Sequence, residues 1–211
     1  MVPEPHCAPP APLPGPRDTR FLRHPYEAGA VGHTVQARRA DRSVPGRTVW
    51  ARVAAEGGVI SKTHGRARVA ARIGGRILEW GGTAHGLVRA EDHDSLAYGT
   101  STLALPLVAK RLSMRVGGGI RYALRSRVPQ AGVDTFALGW NVTTGADYFP
   151  LRPFVLSSRI DVGRLPTGWV AHWRGSVGVM LRGVEVLASA DYLLSGQARI
   201  GGPMLGFRLW I

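Results

Sequence analysis

Leu112-Ser113-Met114-Arg115-Val116-Gly117-Gly118-Gly119-Ile120-Arg121-Tyr122-Ala123-Leu124-Arg125 decides the fold. One parity carries Leu112, Met114, Val116, Gly118, Ile120, Tyr122 and Leu124. The other carries Ser113, Arg115, Gly117, Gly119, Arg121 and Arg125. Successive side chains of a strand point to opposite faces, so this segment reads as a strand with one apolar and one polar face. A helix would need apolar residues every three or four positions, and the segment lacks that spacing.

The same alternation continues on both sides. It predicts further strands over Thr48–Ile60, Gly65–Ile77, Leu78–Ala90, Ser95–Leu107, Val133–Asp147, Phe154–Arg164, Trp169–Leu181, Val184–Leu194 and Gly202–Ile211. The fourth of these in chain order contains Pro106 near its end. With no amphipathic helix between strands, the expected fold is all-β: an up-and-down antiparallel β-barrel of about ten strands, with a range of roughly eight to twelve. The barrel spans 48–211. Residues 1–47 form a Pro-rich, largely disordered segment, in which Pro3, Pro5, Pro9, Pro10, Pro12, Pro14 and Pro16 remove backbone donors. Arg182-Gly183 makes a tight link, whereas Ser126–Gly132 and Ser195–Gly201 read as longer loops. Short turns at one end and longer loops at the other are expected of such a barrel.

Composition narrows the function classes. The 211 residues carry a formal charge of +13, and Lys62 and Lys110 are the only lysines, so the excess is arginine spread over many strands. A basic excess suits a polyanion, an anionic surface or an acidic ligand. Cys7 is the single cysteine, which excludes an intrachain disulfide. No run of about 18 apolar residues exists, so a transmembrane helix is not expected. Met1–Arg20 has no apolar core of a secretory signal, and export would require a leader upstream or a different start.

Two-residue alternation is compatible with opposite solvents. In a soluble barrel the apolar face is the core; in an outer-membrane barrel it meets lipid and the polar face lines the interior. Candidate strands mostly of about 10 to 13 residues match a bilayer crossing. Tyr148, Phe149, Phe154, Trp169 and Trp210 lie toward strand ends, as interfacial girdles do, whereas Trp140 and Trp173 fall mid-strand. The polar face mixes signs, with Arg52 and Glu56, Arg159 and Asp161, and Arg174 and Glu185 as expected neutralising pairs. The lumen-lining candidates are Arg52, Glu56, Arg66, Arg68, Arg72, Arg76, Arg115, Arg121, Arg159, Asp161, His172 and Arg174.

The closing segment Gly201-Gly202-Pro203-Met204-Leu205-Gly206-Phe207-Arg208-Leu209-Trp210-Ile211 resembles the last strand of bacterial outer-membrane β-barrel proteins, with Trp210 penultimate rather than terminal. The preceding segment, Gly183-Val184-Glu185-Val186 through Asp191-Tyr192-Leu193, fits the same family. The resemblance implies a bacterial outer-membrane location, the lipid bilayer as partner and the barrel-assembly machinery as partner during biogenesis. It implies a structural or surface protein, or a narrow pore with a basic lumen.

Other chemistry finds less support. The seven histidines lack metal spacing, so no metal or other cofactor is expected. Glu91-Asp92-His93-Asp94-Ser95 gathers acid, base and nucleophile types similar to those of some outer-membrane lipid-modifying enzymes, but neighbours in one turn do not make a triad, and no catalytic residue is assigned. Gly117-Gly118-Gly119 lies inside a strand and precedes no helix, unlike a phosphate loop. Two alternatives stand beside the membrane barrel: a soluble β-barrel binding an apolar or anionic ligand, and a nucleic-acid-binding β-domain using the ladder Arg66, Arg68, Arg72 and Arg76. Nucleic acid is not the favoured partner, because no exposed aromatics interleave with that ladder.

Overall fold

The computed structural model describes residues 50–61, 64–75, 77–89, 95–109, 111–126, 135–181, 183–196 and 198–211. The Pro-rich segment, Arg76, the Glu91–Asp94 part of the acidic turn and most of the expected 126–132 loop lie outside the described residues. Ten strands follow in order: β1 (Trp50–Ser61), β2 (His64–Gly74), β3 (Glu79–Arg89), β4 (Ser95–Ala109), β5 (Leu112–Ser126), β6 (Thr135–Tyr148), β7 (Phe154–Leu165), β8 (Gly168–Leu181), β9 (Val184–Ser195) and β10 (Ala198–Trp210). Each pairs antiparallel with the next, and β10 pairs with β1, so the sheet closes on itself as an up-and-down barrel. Closure satisfies the edges that an open ten-stranded sheet would expose.

Alternation in sequence becomes alternation in burial. Along β7 every second residue from Val155 to Leu165 is buried and every intervening one is exposed. The apolar parity of β5 (Met114, Val116, Ile120, Leu124) faces outward, while Arg115 and Arg121 point in and are buried. β4 runs through Pro106 to Ala109. It can do so because its pairing with β3 ends at Ala104, leaving no ladder on that side for a proline to break.

The two ends of the barrel differ less than the sequence suggests. At the end where β1 starts and β10 finishes, the near end, the links are 75–78, 110–111, 149–153 and 182–183. At the far end they are 62–63, 90–94, 127–134, 166–167 and 196–197. The expected Ser195–Gly201 loop is therefore shorter, since β9 runs to Ser195 and β10 is already paired from Ala198, with Gly196 at φ +57° between them. Positive φ at a tight hairpin position is what glycine permits there.

Two apolar layers lie inside the barrel, one near each end. At the far end Leu87, Tyr98, Leu165, Val170 and Leu193 pack together, with Leu96, Ala123, Ala137 and Ile200 against them. At the near end Phe149, Val155 and Met180 pack beneath Trp210. Phe149 is 1% exposed and Trp210 faces inward, so neither belongs to the outer aromatic girdle expected of them. Tyr148, Phe154 and Trp169 do face outward.

Trp140 joins that outer set at the far end, whereas Trp173, opposite Ile160 in the register, faces outward at mid-strand. Strands are staggered: β7 pairs with β6 only from Trp140, opposite Arg164, so a residue in the middle of β6 reaches the rim of β7. Trp140 there meets Trp169 edge-on, with ring centroids 5.5 Å apart, and Trp173 stacks on Tyr192 at 5.7 Å.

Candidate functional site

Between the apolar layers the barrel is filled by charge. Among the described residues, Arg52, Glu56, Arg66, Arg68, Arg72, Arg115, Arg121, Arg159, Asp161, His172 and Arg174 are all buried, on the inward parity of their strands. Arg76 lies outside the described residues. Sequence reading did not single out Glu79, His85, Tyr98, Asp147, Asp191 and Arg208 as interior candidates, and each contributes to the network.

The partners differ from those that proximity in sequence suggests. Residues four apart on one strand stand about 13 Å apart, out of ion-pair range. Arg52 accordingly leaves Glu56 and donates to Asp147 Oδ2 at 3.0 Å, from β1 across to β6. Asp147 also accepts from Arg115 at 2.8 Å and has Arg72 at 3.9 Å; Arg72 in turn lies 3.5 Å from Glu79. Glu56 accepts from Arg68 beside it on β2, from Arg174 on β8 and from Ser189 Oγ at 2.7 Å on β9. Glu185 takes Arg208 at 2.9 Å and the Trp210 indole N–H at 3.0 Å rather than Arg174. The Trp210 ring in turn lies 4.7 Å from the Arg52 guanidinium, a cation–π contact. Of the three expected pairs, Arg159 and Asp161 meet, at 2.7 and 2.8 Å. They are two apart, on one face, and Arg159 can fork onto the carboxylate.

Toward the far end lies a second cluster. Arg121 donates to Asn141 Oδ1 at 2.9 Å, and Asn141 donates to Asp161 at 3.2 Å. His172 Nε2 donates to Asp191 Oδ1 at 2.7 Å, and Arg66 donates to the same oxygen at 2.6 Å. Arg66 also reaches the Tyr98 hydroxyl and lies 3.4 Å from His85 Nδ1, while His85 stacks on Tyr98 with centroids 4.5 Å apart. His85, His172 and Asp191 bring one ligand-type atom each within 4.8 Å of one another. Arg66, which can only donate, takes Asp191 Oδ1 and adds like charge beside the trio, while Asp191 Oδ2 stays buried without a hydrogen-bond partner, 4.0 Å from His85 Nδ1.

Small residues make room for these groups. A Cβ on Gly178 would stand 2.2 Å from Glu185 Oε1 and 2.7 Å from its Cγ, whereas one on Gly86 would meet nothing within 4 Å. Gly178→Ala is expected to destabilise the barrel by about 1–3 kcal/mol through overpacking. Gly86→Ala serves as the tolerated control. Urea unfolding in detergent separates the two.

The outer wall has the opposite character. Exposed large apolar residues cover it, including Val69, Leu103, Val116, Leu138, Val142, Ile160, Val177 and Leu205. Among the described residues the exposed charges are Arg111 and Arg152 at the near end and Arg164 and Arg199 at the far end. None interrupts the belt between.

No protein-family model matches the chain, and no curated protein matches it. Among solved structures it is similar to the crystal structure of the beta domain of the Bordetella autotransporter BrkA, at 11% identity and a TM-score of 0.35, covering 78% of this chain and 99% of that one. At this identity and score the likeness has no bearing on what the present chain does. The class of protein is defined by its own geometry: a closed ten-stranded antiparallel barrel, apolar outside and charged inside.

Proposed function

We propose that the chain is an integral β-barrel of the bacterial outer membrane, acting as a sealed structural or surface element with the lipid bilayer as its partner. One observation carries the reading: side chains that need water or a counter-charge are inside or at the rims, and the apolar belt between the rims faces out. In water that belt would be an aggregation surface, since soluble monomers rarely expose contiguous apolar patches beyond a few hundred Å². Dimensions agree. A strand of 12 residues such as β7, rising about 3.3 Å per residue and tilted by roughly 40°, spans about 30 Å, close to the apolar band of known membrane barrels.

The interior placement of Arg66, Arg68 and Arg72 removes the surface that a nucleic-acid reading requires. The outward series Leu205, Phe207, Leu209 and Ile211 supports recognition of β10 by the barrel-assembly machinery during biogenesis. We read the barrel as non-enzymatic, because the His172–Asp191 pair is held by Arg66 and sits beside the far-end layer of Leu165, Val170 and Leu193.

The test is extraction. Membranes of cells producing the protein should retain it through high salt and alkaline carbonate and release it to detergent. The detergent-solubilised protein should then migrate differently on gels before and after boiling. A monodisperse protein in plain buffer would overturn the membrane reading.

Sealing is tested separately. Apolar layers at both ends and the ion pairs between them support a sealed interior, so the protein reconstituted into planar bilayers is expected to give no conductance steps. Stable unitary currents would establish a pore instead.

A further inference from the structure

The interior carries more positive charge than its carboxylates can offset. Among the described residues nine arginines are buried (52, 66, 68, 72, 115, 121, 159, 174 and 208) against six acids (56, 79, 147, 161, 185 and 191), an excess of three. A buried lysine or histidine can shed its proton and become neutral; a guanidinium does not. Uncompensated buried charge is strongly destabilising, so the excess calls for anions.

The geometry places one of them. A cavity of about 20 Å³ lies inside the near half of the barrel, and its wall holds seven of the nine buried arginines with Asp147 as its one acid. That carboxylate is already shared by Arg52, Arg72 and Arg115. Glu56 is likewise shared, between Arg68 and Arg174. Three of the wall arginines keep buried N–H groups that make no hydrogen bond: Arg68 Nε, Arg174 Nε and Arg72 Nη1, the last with Glu79 Oε1 only at 3.5 Å. A neutral water could fill the volume, since roughly 10–15 Å³ suffices for one, but it would leave the charge unbalanced.

We propose that this cavity holds a single monatomic anion of halide size, chloride under ordinary conditions, accepting N–H groups from Arg68, Arg72 and Arg174. The volume admits a bare halide. The apolar layers at either end mean that the ion is taken up as the barrel closes.

The full chain is refolded into detergent with gluconate, sulfate, chloride or bromide as the counter-ion at matched ionic strength, and unfolded with urea. The folding equilibrium constant should rise with chloride and bromide once binding saturates, about tenfold for each tenfold increase in halide. It should stay flat with gluconate and sulfate. Crystals grown with bromide should show one anomalous peak within hydrogen-bond distance of Arg68, Arg72 and Arg174. Arg72→Met should abolish both the halide dependence and the peak, while Arg164→Gln on the outer rim should keep both. If Arg72→Met does not fold, Arg68→Gln provides the same comparison. Equal stabilisation by all four anions would mark general screening and overturn the proposal. So would a bromide-grown crystal with no anomalous peak in this cavity.

Discussion

Glu56→Leu is expected to destabilise the barrel by about 3–5 kcal/mol, the cost of stranding buried charges by removing their partner. Glu56 sits on β1, directly opposite Arg68 of β2 in the sheet register, and reaches through the interior to Arg174 of β8 and Ser189 of β9. It therefore ties the first two strands to strands laid down late in the chain. Without the carboxylate, Arg68 and Arg174 would face each other with no acid between them. The measurement is the urea midpoint of the refolded protein in detergent, read by gel mobility without boiling. Removing a guanidinium as well should help: Glu56→Leu/Arg174→Met is expected to recover part of the loss, because a buried ion pair replaced by packed apolar groups is often tolerated. A double variant less stable than the sum of its single variants would contradict this account.

Ile160→Arg should destabilise the protein by about 2–4 kcal/mol, the penalty for a charge on the lipid face near the bilayer midplane. Ile160 lies on β7 midway between Val155 in the near-end layer and Leu165 in the far-end layer, and it points outward with 43% of its surface exposed. On a protein surrounded by water the same exchange would fall within about 0.5 kcal/mol of neutral. Folding into vesicles distinguishes the two environments directly. Arg164, four residues further along the same face, shows that arginine is accepted once the strand reaches the rim. An Ile160→Arg protein that folds into bilayers as stably as the parent would remove the support for a lipid-facing belt.

Much of this architecture was legible in the chain. Side-chain parity depends only on the two-residue repeat, so the set from Arg52 to Arg174 that shares one face, and the number of strands, follow from local pattern. The reader of the sequence is misled where distance along the chain stands in for distance in space. Arg52 and Glu56 share a face yet never meet, and Arg52 finds Asp147 across the lumen. Trp140 looks like a mid-strand residue because stagger between β6 and β7 is a property of the sheet, invisible in either strand alone. Trp210 looks like a girdle residue because its position next to the chain end hides its inward parity. The polar parity of β10 (Met204, Gly206, Arg208) places it inside, where it covers Phe149 and bonds Glu185.

The sequence by itself determined a meander of two-faced strands, one face apolar and the other rich in arginine. It left open which face meets the solvent, because alternation is symmetric with respect to inside and outside. Tertiary closure decided that. When β10 pairs with β1, the face carrying glycines and hydrogen-bonding groups turns inward, where ion pairs can form across a narrow interior, and the bulky Val, Leu and Ile side chains are left outside. Closure also decided which acid each arginine meets, since those partners come from strands distant in the chain and adjacent or opposite only in a closed barrel.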